Sequence, residues 1–434
     1  MASTTFSLAG RGLKVDTAED VKKHAEALST STDITHIDLS GNTLNIAACE
    51  ALAPLLSSQR SLQSIDLHDI FTSRTFKVIP LALKALLDAL LSCPELHTID
   101  LSDNAFGLSV VAPDRDKSNT TEKALLAFLS RHTPLKNLIL NNNGMGPEAG
   151  TLIAEALAEL AERKSEARRQ GLEVPDLESI VCGRNRLENG SMKAWAHAYK
   201  AHGPGIKSVK MTQNGIRPEG ISLLLRNGLG HCSNLELLDM QDNTFTVKGA
   251  AALADVVGGW PKLKELGVHD DLLGANGAVK VFEILATGSN KEVELLRLQY
   301  NDITTKGVKA LLRAAKDGLP KLRRVELNGN KFNEDDAHIE ALAELLSDRK
   351  DEFGSAHDPD NHWGVDELDE LEGEDSEVDD DDAEAEADEE EEEREEARER
   401  VLREADEAED EKVTQKEDAD VDHLADMLNK TKVQ

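Results

Sequence analysis

LKNLILNNNGM (residues 135–145) and LHTIDLSDNAF (residues 96–106) share one frame, LxxLxLxxN, with an apolar Leu, Phe, Ile or Met two residues beyond the Asn. The same frame starts at Ile34, Leu62, Leu96, Leu135, Leu177, Ile206, Leu235, Leu263, Val293 and Leu322. A weaker copy, FSLAGRGL over residues 6–13, precedes them with Arg11 at the Asn position. Eleven copies of a leucine-rich frame predict a stacked-repeat protein. Within a copy, Leu138 and Leu140 alternate with Ile139, the period-2 pattern of a short strand whose leucines point inward. Asn143 follows where the chain must turn, and a buried amide there would satisfy backbone groups orphaned by the turn. Leu152, Ile153, Ala156, Leu157, Leu160 and Ala161 then recur at helical spacing and predict a helix over 147–169, with Pro147 in its first turn. Pro218 repeats that device. Strand plus helix, stacked in parallel, predicts an α/β leucine-rich repeat solenoid, a horseshoe with strands inside and helices outside. Eleven strands at about 4.8 Å would make a sheet roughly 50 Å long, better suited to a globular protein partner than to a small molecule.

From Ile34 onward the starts lie 28, 34, 39, 42, 29, 29, 28, 30 and 29 residues apart. A period of 28–29 residues accommodates a full helix per copy, the ribonuclease-inhibitor type of repeat. The three long copies are consecutive. The third carries its extra residues after the strand, in HDIFTSRTFKVIP (68–80), and so does the fourth, in GLSVVAPDRDKSNTTE (107–122). Both insertions therefore leave from one rim. The fifth adds KSEARRQGLEVPD (164–176) after its helix, on the opposite rim. Insertions in solenoids collect on the binding side, which directs attention to the rim shared by the third and fourth copies.

Charge divides the chain. Residues 351–434 hold 38 acidic and 8 basic residues, leaving 45 and 41 in residues 1–350. The predicted organisation is a repeat domain over 1–353 and an acidic tail over 354–434, disordered by charge repulsion and low hydrophobicity. Val421, Leu424, Met427 and Leu428 predict a short docking helix near its end. A net charge of −34 speaks against binding nucleic acid or an anionic membrane. Cys49, Cys93, Cys182 and Cys232 are isolated, which argues against a disulfide framework or a zinc site. The first fifteen residues lack the pattern of a signal peptide, and an intracellular protein is expected. The sequons at Asn119, Asn189 and Asn429 would then go unmodified. Phosphate-cradling GxxxxGK[ST], GxSxG, HExxH and strand-following GxGxxG motifs are all missing. His36, His68, His97, His132 and His269 fall in separate copies. No metal, no cofactor and no active site of its own are expected; any catalytic effect would be exerted on a partner.

Several runs go beyond the generic frame: HTIDLSDNAFG (97–107), LNNNGMGPEAG (140–150), IVCGRNRLENGSMKAWA (180–196), QNGIRPEG (213–220), QDNTFT (241–246) and LRLQYN (296–301). In these, and in the order of repeats, acidic stretch and short C-terminal segment, the chain resembles the Ran GTPase-activating proteins, especially the fungal form. The resemblance spans residues 1–350. It implies stimulation of GTP hydrolysis by Ran in its GTP-bound form, in support of nucleocytoplasmic transport. It also implies a cytoplasmic, perinuclear monomer, with Ran-binding proteins as further partners. The 107–122 insertion is larger than the family needs. A fungal-type form is expected, without the extra C-terminal domain that tethers animal forms to the nuclear pore and without a plant-type targeting domain.

Residue by residue, Arg74 in FTSR matches the arginine this family requires, and Asn142 in LNNNG matches the asparagine that meets Ran's catalytic glutamine. A general reading of GTPase activators would make Arg74 a finger that stabilises charge on the transferring phosphoryl. The resemblance implies instead that the family positions the GTPase's own glutamine and water. Where the family has a basic residue just after the arginine, this chain reads Thr75-Phe76-Lys77, which moves that contact to Lys77. Asn104, Asn141 and Arg184 complete the expected partner-binding set. The competing reading from another class is an acidic leucine-rich scaffold or histone-binding protein without catalytic effect; eleven copies on a basic period of 28–29 residues speak against it.

Overall fold

Every copy of the frame forms a three-residue strand. The computed structural model describes residues 4–112, 123–355, 357 and 359–372, together with Ala397, Arg400 and Val401. The chain divides into two compact units, Met1–Asp375 and Ser376–Gln434. In the first, the strands pair in parallel in chain order, from Thr5–Ser7 and His36–Asp38 through Ser64–Asp66, Thr98–Asp100, Asn137–Ile139 and Ser179–Val181 to Arg324–Glu326. Register is constant, so Asp66, Asp100, Ile139 and Val181 occupy one row across four neighbouring strands. The central residue of each frame strand from His36–Asp38 to Arg324–Glu326 is buried, Leu138 among them, as are the flanking frame leucines Leu135 and Leu140. Helices return the chain between strands, for example Ile79–Leu90, Gly146–Arg169 and Pro218–Asn227. The helix expected over 147–169 is present, and it accounts for part of the fifth copy's extra length. The fourth copy's insertion begins with a short helix, Leu108–Val111; residues 113–122 lie outside the described residues, as does the expected C-terminal helix.

The frame Asn forms a continuous column. Asn143 Nδ2 donates to the carbonyls of Leu101, Leu140 and Asn141 at 3.1–3.2 Å, and its Oδ1 accepts from the Asn104 amide at 2.9 Å. The Asn143 amide donates in turn to Asn185 Oδ1 at 2.8 Å. The chain of bonds runs on through Asn185, Asn214, Asn243, Asp271, Asn301 and Asn330. Three repeats break the rule: Arg11, Ile70 and Asp271 stand at the Asn position. At the other end of the repeats, side-chain donors cap helix-end and turn carbonyls. Gln59, His132, Lys164, Trp260, Asn290 and Arg349 all serve this purpose. Burial pulls the His132 imidazole down to about 4, so it sits neutral in the turn.

Asp271 is fully buried; its Oδ1 accepts from the Asn243 amide at 2.8 Å, while its Oδ2 has no hydrogen-bond partner. Burial pushes this carboxyl well above the ordinary carboxylate range, against the pull of the Asn243 bond. A raised folded-state pKa stabilises below the unfolded value of about 3.9, and that stabilisation is lost as pH rises through the folded value. Asp271→Asn would supply the missing donor without adding charge. We expect it to raise stability by about 1–3 kcal/mol at the alkaline end of the range and to flatten the pH dependence of Tm. Melting curves that coincide at pH 8 would refute this.

The composition break at residue 354 is not the end of the repeat unit. Gly354 only stops the helix Ala337–Phe353, and Gly364–Val365 then adds a twelfth strand beside Arg324–Glu326. Asp366 caps the exposed turn, accepting from the amides of Leu327 at 2.6 Å and Asn328 at 3.2 Å. Glu370 pairs with the Tyr300 hydroxyl, and the Glu372 amide donates to the Asn330 carbonyl at 2.9 Å. Acidic residues here satisfy backbone donors at the sheet's last turn, a role that a charge count cannot distinguish from solvation. A protein ending at residue 375 should therefore melt with the full-length chain, whereas one ending at 353 should melt several degrees lower. Equal melting of the two truncations would remove the cap's contribution. No described helix is long and apolar enough to cross a membrane, and all four cysteines are buried and unpaired.

Candidate functional site

The turn that closes each strand places one residue in the left-handed region just before the frame position. Asp69, Asp103, Asn142, Arg184, Gln213, Asp242, Asp270 and Tyr300 hold this place in successive copies, with φ between 49° and 59°. The turn's geometry sends these side chains outward while the next residue goes into the core. Asn142 and Asn143 illustrate the split: Asn142 is exposed and Asn143 is 1 % exposed. Short polar residues tolerate such a φ, and that explains Asp and Asn in the row.

Asn142 is oriented by its neighbour. Its Nδ2 donates to Asp103 Oδ1 at 2.6 Å and its backbone amide to the Gly183 carbonyl at 2.9 Å. The amide group is thereby turned so that its carbonyl oxygen is left to accept from a partner. His68, Asp69, Thr72, Asp103, Ala105 and Asn142 line an open groove along the rim. Sequence reasoning picked out Asn142 but missed Asp69, Thr72 and Asp103. Their signal was their place: Asp69 and Asp103 occupy the same frame position as Asn142 in the two preceding copies.

The groove is acidic. Burial alone would lower the His68 pKa, but the hydrogen bond to Asp66 and the charges of Asp66, Asp100 and Asp103 outweigh it and raise the imidazole above its usual value. Burial likewise raises Asp100, aided by the charge of Asp66 and opposed by its bonds from Ser102. Asp66, His68 and Asp100 bring a donor atom each to within 4.8 Å of the others, the only grouping among the described residues that a cation could use. The His68 Nδ1–Asp66 Oδ1 bond of 2.8 Å already engages two of the three.

Arg74 is not brought to Asn142. The insertion loop turns through Ser73 at φ 66°, and the guanidinium runs back towards the first repeats. Nη2 meets Asp16 Oδ1 at 2.6 Å and the Thr43 carbonyl at 3.0 Å, and Nε meets Thr43 Oγ1 at 3.0 Å. The side chain is 11 % exposed. The Arg74 hydrogen bond holds the Asp16 carboxyl below the usual carboxylate range. Thr43 Oγ1 also donates to the Thr72 carbonyl at 2.6 Å, and buried Phe71 packs near Phe106 with ring centroids 6.4 Å apart. The loop is thus braced from both sides, with Phe76 and Lys77 exposed beyond the brace.

The expected partner-binding set divides. Lys77 and Arg184 are exposed. Asn141 is half-buried, its Oδ1 accepting from the Gly183 amide at 2.7 Å. Gly183 has no room for a side chain, since a Cβ there would lie 2.5 Å from Thr212 Oγ1. Asn104 is a correction. It is the frame asparagine of its copy, 2 % exposed, with Nδ2 bonded to the carbonyls of Leu67, Leu101 and Ser102 and Oδ1 to the Ile70 amide. Every polar atom is used by the turn, so a partner has nothing to reach.

Comparison with known proteins adds kinship to this geometry. A leucine-rich-repeat family model matches residues 231–254 and 289–312. An internalin of Listeria monocytogenes aligns at a TM-score of 0.44 and 14 % identity over 87 % of this chain and 88 % of its own. Ran GTPase-activating protein 1 of Xenopus laevis is 36 % identical over 212 residues, 49 % of this chain and 34 % of that protein. Ran GTPase-activating protein 1 of Saccharomyces cerevisiae is 38 % identical over 350 residues, 79 % of this chain and 82 % of the yeast protein. Identity at that level over four fifths of the yeast protein means that the chain belongs to the Ran GTPase-activating protein family.

Proposed function

We propose that this chain binds the GTP-bound form of Ran and accelerates its GTP hydrolysis by holding the GTPase's own glutamine, without inserting an arginine into the phosphoryl site. The reading rests on the kinship with the yeast protein, and the fate of Arg74 supports its finer part. A guanidinium committed to Asp16 and Thr43 would have to break an ion pair and two hydrogen bonds before it could serve as a finger. Asn142 offers what a positioning mechanism requires. With its Nδ2 tied to Asp103, its Oδ1 accepts from the amide of a partner glutamine, which then orients the attacking water. Such a bond strengthens catalysis to the extent that it is tighter in the transition state than in the ground state. The chemistry stays in the GTPase's site and this chain contributes alignment. The proposal includes a cytoplasmic monomer, with Ran-binding proteins as accessory partners and the acidic tail as an arm that steers basic surfaces at long range. Single-turnover hydrolysis of Ran·GTP with catalytic amounts of the protein tests it. Multiple rounds of stimulation are expected, and an unchanged intrinsic rate would overturn it.

A further inference from the structure

Seven large apolar side chains are exposed among the described residues, and three of them, Phe76, Leu81 and Leu108, fall in the third and fourth copies. Phe76 is 62 % exposed, Leu81 47 % and Leu108 36 %. All three lie where strands end and helices begin, on the rim that carries Asn142: Phe76 in the braced loop, Leu81 in the first turn of Ile79–Leu90, Leu108 at the start of Leu108–Val111. Single exposed apolar residues are ordinary, but a concentration on one rim marks an interaction surface. The loop itself shows the contrast. Phe71 is 3 % exposed and anchors the loop's base, whereas Phe76, five residues on, is held out in water. A phenylalanine held out in water forgoes hydrophobic stabilisation that a partner can recover by covering it.

The brace makes the display efficient. Arg74 fixes the loop through Asp16 and Thr43, and Thr43 holds Thr72, so little conformational freedom remains to be lost when Phe76 is gripped. On the same rim, Asp69 and Asp103 line the acidic groove. We propose that Phe76, flanked by Leu81 and Leu108, is the apolar anchor with which this rim grips its GTPase. The partner surface would be an apolar socket bordered by lysines or arginines that face Asp69 and Asp103. The inference rests on the proposed function and adds to it a residue that sets affinity, separate from Asn142, which sets rate.

The test uses the full-length protein and steady-state Ran·GTP hydrolysis. Phe76→Ala should raise KM about tenfold or more while kcat stays within about twofold, and Phe76→Leu should fall between it and wild type. Thermal melting should not move, because the ring contributes nothing to the core. Phe353, 66 % exposed at the end of the last helix, supplies a matched control, and Phe353→Ala should leave KM unchanged. Equal KM values for Phe76→Ala and Phe353→Ala would overturn the anchor. A fall in kcat at constant KM would overturn it as well, by moving Phe76 into the alignment of the reaction. A wild-type protein that fails to stimulate Ran would overturn the functional reading itself, and the anchor with it.

Discussion

Arg74→Ala should lower Ran activation by about two orders of magnitude, and Asp16→Ala should reproduce part of that loss although Asp16 lies 58 residues away. The two residues form one strut. Removing the arginine frees the insertion loop from both Asp16 and Thr43, and a displacement on the order of 1 Å at an aligned site costs on the order of 10²-fold in rate. Removing Asp16 deletes one charge-assisted bond and leaves the two to Thr43, so about tenfold is expected. Arg74→Lys should not rescue, because an ammonium cannot span Asp16, the Thr43 hydroxyl and the Thr43 carbonyl as the planar fork does. Binding of the ground-state complex and of an aluminium fluoride complex should weaken alike in all three variants. A finger predicts otherwise: Asp16→Ala would be neutral or beneficial, and Arg74→Ala would lose only the aluminium fluoride complex. That pattern would reinstate the finger.

Asn142→Ala should separate rate from affinity, with kcat of stimulated hydrolysis falling about 10²-fold and binding of Ran·GTP little changed. The side chain is one exposed amide on a long surface, too small a part of an interface to carry much affinity. Its expected bond to the partner's glutamine is worth most when the water is in line for attack. Asp103→Ala should give a smaller loss of the same kind, since it releases the Asn142 Nδ2 without removing the amide. Asn143→Ala is the internal control. It leaves the carbonyls of Leu101, Leu140 and Asn141 and the amide of Asn104 without their partner, so it should cost stability, by about 1–3 kcal/mol or more. Exchanged phenotypes for Asn142→Ala and Asn143→Ala would mean that the outward and inward positions of this turn are misassigned.

Much of this molecule follows from a pattern repeated at near-constant spacing. Period 2 around the frame leucines sets each strand, period 3.6 sets each helix, and the recurring Asn sets each turn. These are local rules, and their repetition is what brings equivalent positions into register across the sheet. The rim bearing both post-strand insertions was legible for the same reason, because an insertion after a strand can leave from one side only. The frame also separates Asn143, at the column position, from Asn142 just before it. The same rule places Asn104 in the column, and the structure returns it from the expected partner-binding set to the turn.

What remained was decided by contacts between residues far apart in sequence. Arg74 could point along the rim or back across it, and the choice is made by Asp16 and Thr43, which lie 58 and 31 residues away in the two preceding copies. Asn142 gains its orientation from Asp103, 39 residues earlier, in the preceding copy. The last strand was hidden for a different reason. Gly364–Val365 has no frame around it, and its neighbours Asp366, Asp369 and Glu370 look like the start of a charged tail. Only the open edge left by Arg324–Glu326, with unpaired amides at Leu327 and Asn328, turns those carboxylates into caps. A repeat's sequence specifies what each copy does to itself and to an identical neighbour; irregular insertions and ends take their conformation from whatever surface the stacked copies present to them.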